Sequence, residues 1–176
     1  MWYSIEDMKI YSLLAAMMTA GLSTANTAEP APSVATNDCA TTAISQSIER
    51  TDFITPHKPS ATAKYYMYLC TAFWCTPCRK EFSNIIAEYK EMKKDNHVEI
   101  IVLSFDHHIS GALRYLELFD APFAAVMYNS EQRTQLGVPG DIDCIPYIYV
   151  VDANGNFIHR GHASTFQNWR QYTKKD

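Results

Sequence analysis

Apolar and polar positions divide the chain into short segments of two periods. Tyr65-Tyr66-Met67-Tyr68-Leu69-Cys70 is apolar or aromatic throughout and reads as a buried strand. The spacing of Phe82, Ile85, Ile86, Tyr89 and Met92 is that of one helix face, and Glu91 to Asn96 is a charged helix end and turn. Val98 to Phe105 is a second buried strand rich in β-branched residues. Residues 109–118 predict a helix, with Ala112, Leu113, Leu116 and Phe119 apolar. Ala124-Ala125-Val126-Met127 predicts a short strand, and Ser130 to Leu136 a short helix with Ser130 as its N-cap. Ile145-Pro146 opens a further strand, Tyr147 to Asp152, with proline where a ladder N–H is least needed. Asn154-Gly155 marks a hairpin turn, Phe157 to Arg160 returns to end at Gly161, and residues 164–174 predict a closing helix. Strand, helix, strand, helix, then hairpin and helix describes an α/β sandwich with a mixed sheet.

The N-terminal part has a different pattern. Lys9 is followed by the apolar run Ile10 to Met18, then by the small-residue stretches Ser23-Thr24-Ala25 and Asn26-Thr27-Ala28, either of which suits cleavage. Glu6-Asp7 is unusual before such a run, and a start at Met8 leaves the short leader Met8-Lys9. Residues 1–28 therefore read as a signal peptide or an N-terminal anchor, although the apolar run is short for a span. Residues 29–60 read as a linker beginning Glu29-Pro30-Ala31-Pro32-Ser33, then a short helical segment with Ala43, Ile44 and Ile48 on one side. The domain proper is expected over 61–176. The expected location is exported, periplasmic or extracytoplasmic, with the protein soluble after cleavage or held by its N-terminus. Such a compartment is oxidising and permits disulfide chemistry.

Composition adds limits. The 176 residues suffice for one domain with a real core, and 47% hydrophobic with 19% charged residues is ordinary for a globular chain. A net charge of −4 argues against nucleic acid as a partner, since phosphate binding calls for a basic surface.

The chemistry concentrates in Phe73-Trp74-Cys75-Thr76-Pro77-Cys78-Arg79, between the first strand and the first long helix. Cys75 falls at the helix N-terminus, where unpaired N–H groups and the helix dipole favour the thiolate. Cys78 lies within the first turn, close enough for a disulfide. Pro77 suits that turn, where its missing N–H costs nothing. An inert structural disulfide and a zinc half-site are the alternatives for such a pair, but the zinc site needs two further ligands. No second Cys-x-x-Cys exists, and His107-His108 are adjacent rather than spaced as ligands, so no metal is expected. Of the remaining cysteines, Cys70 reads as a core residue. Cys144 stands near Pro146, where it can act as a third thiol or be an ordinary loop residue, and Cys39 has no partner assignable from sequence.

With these residues in hand, the chain resembles the thioredoxin superfamily over about residues 60–172. The resemblance lies in the strand before the motif, Trp74-Cys75-Thr76-Pro77-Cys78, the downstream Ile145-Pro146, and the hairpin ending at Gly161. Trp74 to Phe82 is similar to exported TlpA-like thiol-disulfide oxidoreductases. Phe73-Trp74-Cys75 with Phe119-Asp120-Ala121-Pro122-Phe123 is similar to tryparedoxin and nucleoredoxin. The resemblance implies a thioredoxin-like three-layer sandwich, with an extra insertion before the strand that opens on a cis proline. It also implies Cys75 and Cys78 as the catalytic dithiol and Ile145 and Pro146 as a substrate groove. Thioredoxin itself carries a buried acid in the strand before the motif, and Met67 to Cys70 has none. In the TlpA-like group a glutamate stands at the position of Glu81, one turn past Cys78, where it can relay a proton or remain a solvated carboxylate. Trp74, Pro77 and Glu81 are thus the supporting residues. No cofactor is expected beyond the redox-active Cys75–Cys78 disulfide. The expected partners are client proteins with disulfides and an upstream electron donor, for which a membrane-bound protein suits export. A non-catalytic thioredoxin-like module that binds a client or a metal is the alternative.

Overall fold

The computed structural model describes residues 43–173 except 96, 139 and 141; the leader or anchor segment and Cys39 lie outside the described residues. β1 (Tyr65–Thr71) and β2 (Val98–Ser104) pair in parallel, and every residue of both is buried. A strand covered on both faces has no side left for polar residues, which is why these two runs are almost continuously apolar. β3 (Ala124–Met127) joins β2 in parallel, β4 (Tyr147–Asp152) lies antiparallel to β1, and β5 (Phe157–His162) antiparallel to β4. The order across the sheet is β3-β2-β1-β4-β5.

Side chains of β1 alternate between two cores, as the twofold repeat of a strand requires. Met67 and Leu69 face α2 (Thr76–Asp95), through Phe82, Ile85, Tyr89 and Met92, and α3 (Ile109–Leu118), through Tyr115 and Leu116. Tyr66, Tyr68 and Cys70 face the other way, onto Ile44 and Ile48 of α1 (Ala43–Arg50) and onto Leu136 and Val138, which follow α4 (Glu131–Gln135). Helices therefore cover both faces of a mixed sheet, the three-layer thioredoxin-like arrangement that the sequence implied. The unit α3–β3–α4 stands between β2 and the strand that Pro146 precedes.

Two of the three buried tyrosines of β1, Tyr66 and Tyr68, place their hydroxyls on backbone carbonyls. Tyr68 donates to the Leu136 carbonyl at 2.9 Å and Tyr66 to that of Ser60 at 2.9 Å, so each ring contributes apolar area without an orphaned O–H. Burial, with the nearby Glu99 carboxylate adding to it, pushes the Tyr66 phenol up to about 12.

Two local readings differ from the sequence expectation, at Ser130 and in the closing helix. Before Ala61 the expected short helix forms over Ala43–Arg50, and residues 43–60 pack on the sheet. Ile44 and Ile48 are buried, Ile54 N–H donates to Ala125 O at 2.9 Å, and Thr55 Oγ1 to Phe123 O at 2.9 Å. Ser130 precedes α4 as expected, but its hydroxyl donates to Met127 O at 2.6 Å and makes no cap bond. The closing helix is a 3-10 helix, Ala163–Asn168, that becomes the short α5 (Trp169–Tyr172). Its first turn is tightened by side chains competing for the backbone. His162 Nδ1 accepts from Ser164 N–H, and Thr165 Oγ1 donates to His162 O at 2.7 Å.

The hairpin turn forms where Asn154-Gly155 predicts it, with Gly155 at φ +85°. Asp152 braces it by accepting Asn154 N–H at 2.8 Å and Asn156 N–H at 2.9 Å. Partial burial works against the charge, yet the bonds from Asn156, Asn154 and Gly155 hold the Asp152 carboxyl below its ordinary range. No helix among the described residues is long and apolar enough to cross a membrane.

Candidate active site

The carboxyl end of β1 leads through Ala72, Phe73 and Trp74 to Cys75, the residue immediately before α2. Cys75 occupies the N-cap position. Its carbonyl accepts the Arg79 N–H at 3.1 Å, and its Sγ accepts the Cys78 N–H at 3.2 Å. A sulfur thus stands where a serine or aspartate oxygen ordinarily caps a helix, held by an otherwise unpaired amide at the positive end of a twenty-residue helix. Negative charge developing on that sulfur is stabilised before any partner arrives.

Cys75 and Cys78 form a disulfide with Cα atoms 5.2 Å apart. Cys75 keeps 5% of its surface exposed against 1% for Cys78, so Cys75 is the side open to a partner sulfur. Pro77, in the first turn of α2, is exposed. Trp74 is 55% exposed, and its indole N–H donates at 3.3 Å to the carbonyl of Phe105, a residue that packs on the disulfide cluster. Phe105 stacks on Tyr128 with centroids 3.8 Å apart.

On the opposite side the Ile145–Pro146 peptide is cis, and the Ile145 carbonyl oxygen lies 3.9 Å from Cys75 Sγ. Ile145 and Phe105 pack against the small cluster of Ala72, Cys75 and Cys78. The structure therefore brings together Trp74, Cys75, Cys78, Ile145 and Pro146, the first and last of them 72 residues apart in sequence. Glu81 has other neighbours. It is half-buried and lines a crevice with Ile85, Ala163 and Phe166, between α2 and the 3-10 helix.

The acid that does engage the motif loop is Asp106, which sequence reasoning passed over. It is buried just past the end of β2. Both of its carboxylate oxygens accept the Phe73 N–H at 3.1 Å, and Oδ2 also accepts Ser104 Oγ at 3.0 Å. The available signal was a Ser-x-Asp directly after an apolar strand, in Ser104-Phe105-Asp106, a polar step where the run otherwise predicts burial. Asp106 fixes the loop two residues before the reactive cysteine. Asp106→Asn keeps an acceptor but loses the charge. It is expected to cost roughly 1–3 kcal/mol in chemical denaturation and to lower disulfide-exchange rates several-fold while far-UV circular dichroism is retained.

Cys70 and Cys144 are free thiols of opposite character. Burial in β1, with charge on Cys144 adding to it, pushes the Cys70 thiol up to about 12, whereas Cys144 is exposed beside Ile145. At pH 8 Cys70 stays in its unreactive thiol form. Native labelling with iodoacetamide is therefore expected to modify Cys144 and spare Cys70, as read by peptide mass mapping. Among the described residues no group of three or more His, Cys, Asp and Glu side chains is placed to hold a metal ion.

The site and its fold have known counterparts. The thioredoxin-like family pattern matches residues 63–157, more than half of the chain, and the chain belongs to that family. It is 31% identical over 91 residues to the thiol:disulfide interchange protein CycY of Rhizobium leguminosarum bv. viciae, covering 51% of this chain and 45% of that protein. It is 32% identical over 92 residues to nucleoredoxin of Mus musculus, covering 51% of this chain and 21% of that one. The chain thus spans less than half the length of these relatives. In fold it matches native tryparedoxin I from Crithidia fasciculata, with a TM-score of 0.51 and 22% identity over 65% of this chain and 78% of that one. It likewise matches a thiol-disulfide oxidoreductase from Bacteroides fragilis, with a TM-score of 0.53 and 17% identity over 69% and 93%.

Proposed function

We propose that the chain is an exported thiol-disulfide oxidoreductase that reduces the disulfides of client proteins through Cys75 and Cys78. The observation that carries this reading is the Cys75 sulfur itself. It caps α2 through the Cys78 N–H and faces the Ile145 carbonyl, one residue before Pro146. In the reduced protein the Cys75 thiolate attacks one sulfur of a client disulfide. A Cys75–client bond forms, and the other client sulfur leaves as a thiolate that takes up a proton. The Cys78 thiol, deprotonated in turn, attacks Cys75 Sγ. This forms the Cys75–Cys78 disulfide and releases the second client thiol. Two electrons have passed from protein to client; of the two protons the client thiols gain, one comes from Cys78 and the other from solvent, into which Cys75 had released its own, and an upstream dithiol donor must return the electrons.

The remaining residues divide the task. Trp74 covers one side of the sulfur, and the backbone at Ile145 and Pro146 offers an edge for an extended client segment to lie along. Glu81 is offered as a proton relay for Cys78, reached by rearrangement from its crevice. Export rests on the apolar run after Lys9 and the small residues that follow it. Similarity to a thiol:disulfide interchange protein supports the chemistry.

Insulin reduction driven by dithiothreitol tests the activity. Catalysed precipitation of the B chain is expected, and a rate no faster than dithiothreitol alone defeats the reading. Cell fractionation tests export separately: full-length protein confined to the cytoplasm rules it out.

A further inference from the structure

We propose that Arg79 and Arg114, which both lie over the ring of Phe73, two residues before Cys75, form a docking surface for client segments that carry carboxylates next to the cystine to be reduced. This rests on the oxidoreductase reading and adds the chemistry of the client. The guanidinium carbon of Arg79 is 5.8 Å from the Phe73 centroid and that of Arg114 is 5.4 Å. One comes from the first turn of α2 and the other from α3, so two helices deliver cations to one ring, two residues from Cys75. Arg79 is fixed there by hydrogen bonds to the Phe73 carbonyl and, at 3.3 Å, to Thr76 Oγ1.

Neither guanidinium is paired with a carboxylate among the described residues. Asp106, the acid that accepts the Phe73 N–H from the end of β2, is buried and already engaged by Phe73 and Ser104. Glu117, one turn beyond Arg114 on α3, is exposed and makes no ion pair with it. Two like charges around one ring repel, and the ring compensates only part of that cost. The whole chain carries −4, so this is a local cationic spot on an acidic protein. Exposed Arg114 suits planar carboxylates, which a guanidinium grips through two parallel N–H bonds, while Arg79, whose terminal nitrogens already bond Phe73 O and Thr76 Oγ1, adds charge. Exposed Trp74 follows Phe73 in the chain and supplies apolar contact area, and aromatic residues with arginine are the side chains enriched where protein interfaces gain most of their energy. A client with aspartate or glutamate flanking its cysteine would be drawn in by charge and its sulfur brought to Cys75. A basic client would be repelled from the same surface.

The test uses the reduced full-length protein and three peptides, each with one intramolecular disulfide flanked by Asp-Asp, Ser-Ser or Lys-Lys. Second-order oxidation rates of the protein are followed by fluorescence and divided by the rate of each peptide with β-mercaptoethanol, a neutral thiol. The acidic peptide is expected to exceed the basic one by about 10-fold at about 20 mM ionic strength, and this preference should shrink toward unity at about 0.5 M. Arg114→Ala should cut the ratio about 3-fold and Arg114→Glu should bring it to unity or below. Lys90→Ala, the same charge change on the exposed far part of α2, should leave the ratio intact. Equal rates for the three peptides, or a preference indifferent to both Arg114 substitutions, overturn the proposal while leaving the oxidoreductase reading standing. If no peptide oxidises the protein, the underlying reading falls instead.

Discussion

Replacing Cys75 with serine is expected to remove disulfide reduction altogether, a loss of at least about three orders of magnitude in insulin turnover. Cys78→Ser should stop turnover as completely but by another route, leaving the client covalently held on Cys75. The difference follows from the asymmetry of the pair. Cys75 caps α2, accepts the Cys78 N–H at 3.2 Å and retains the greater exposure, so it both holds negative charge and can be reached. Cys78 is 1% exposed and can approach only a sulfur already on Cys75. A serine at 78 cannot resolve the mixed disulfide, because its hydroxyl is not ionised at working pH. Exposed Cys144 is a further free thiol, next in sequence to Ile145, so the trap is best set in Cys78→Ser/Cys144→Ser, which removes it as a competing nucleophile. Non-reducing electrophoresis should then show one client per protein, reversed by dithiothreitol. If Cys75→Ser traps the client and Cys78→Ser does not, the roles of the two cysteines are exchanged.

How much of this was legible beforehand depends on the range of the interactions concerned. β1, α2 and β2 were readable because they are long and their periodicity is strong: Tyr65 to Cys70 has no polar position to mislead, and Phe82 to Met92 keeps one helical face. The Cys75–Cys78 pair declared its chemistry through spacing within four residues. Ile145-Pro146 could be placed beside Cys75 only through resemblance, since nothing local says which strand β4 joins; that is set by pairing Cys70 with Tyr147 across more than seventy residues. Asp106 escaped notice for the same reason. A carboxylate after a strand usually meets water, and only the turn of Phe73 over the end of β2 converts it into an anchor. Glu81 was singled out by its helical offset from Cys78, yet an offset of three residues fixes the turn and not which neighbour fills the space, which here is the 3-10 helix. The C-terminal segment was misjudged as one helix because Ser164 and Thr165 bond locally to His162, a competition that apolar spacing does not register.

The largest expected loss of stability lies at Phe82, one turn beyond Cys78 and fully buried. Its ring stacks on Tyr115 with centroids 4.4 Å apart and meets Phe119 at 5.2 Å and Phe123 at 5.8 Å edge-on. These partners come from α3, from its end and from the approach to β3, so one side chain ties the active-site helix to the unit that flanks β2. Phe82→Ala removes the ring from all three at once. The surroundings are elements of regular structure and cannot collapse fully into the space, so the cost combines lost apolar burial with a residual cavity. About 3–5 kcal/mol is expected, against a total of roughly 5–15 kcal/mol for a domain. Phe82→Leu refills much of the volume but forfeits the ring geometry, and about 1–2 kcal/mol is expected. Urea denaturation of the oxidised protein measures both. The Phe82→Ala midpoint should fall steeply, with Phe82→Leu between it and the wild type and the slope m unchanged. Equal midpoints for Phe82→Leu and Phe82→Ala would mean that the aromatic contacts, and not the filled volume, hold α2 against α3. A cost under about 1 kcal/mol for Phe82→Ala would mean that neither does.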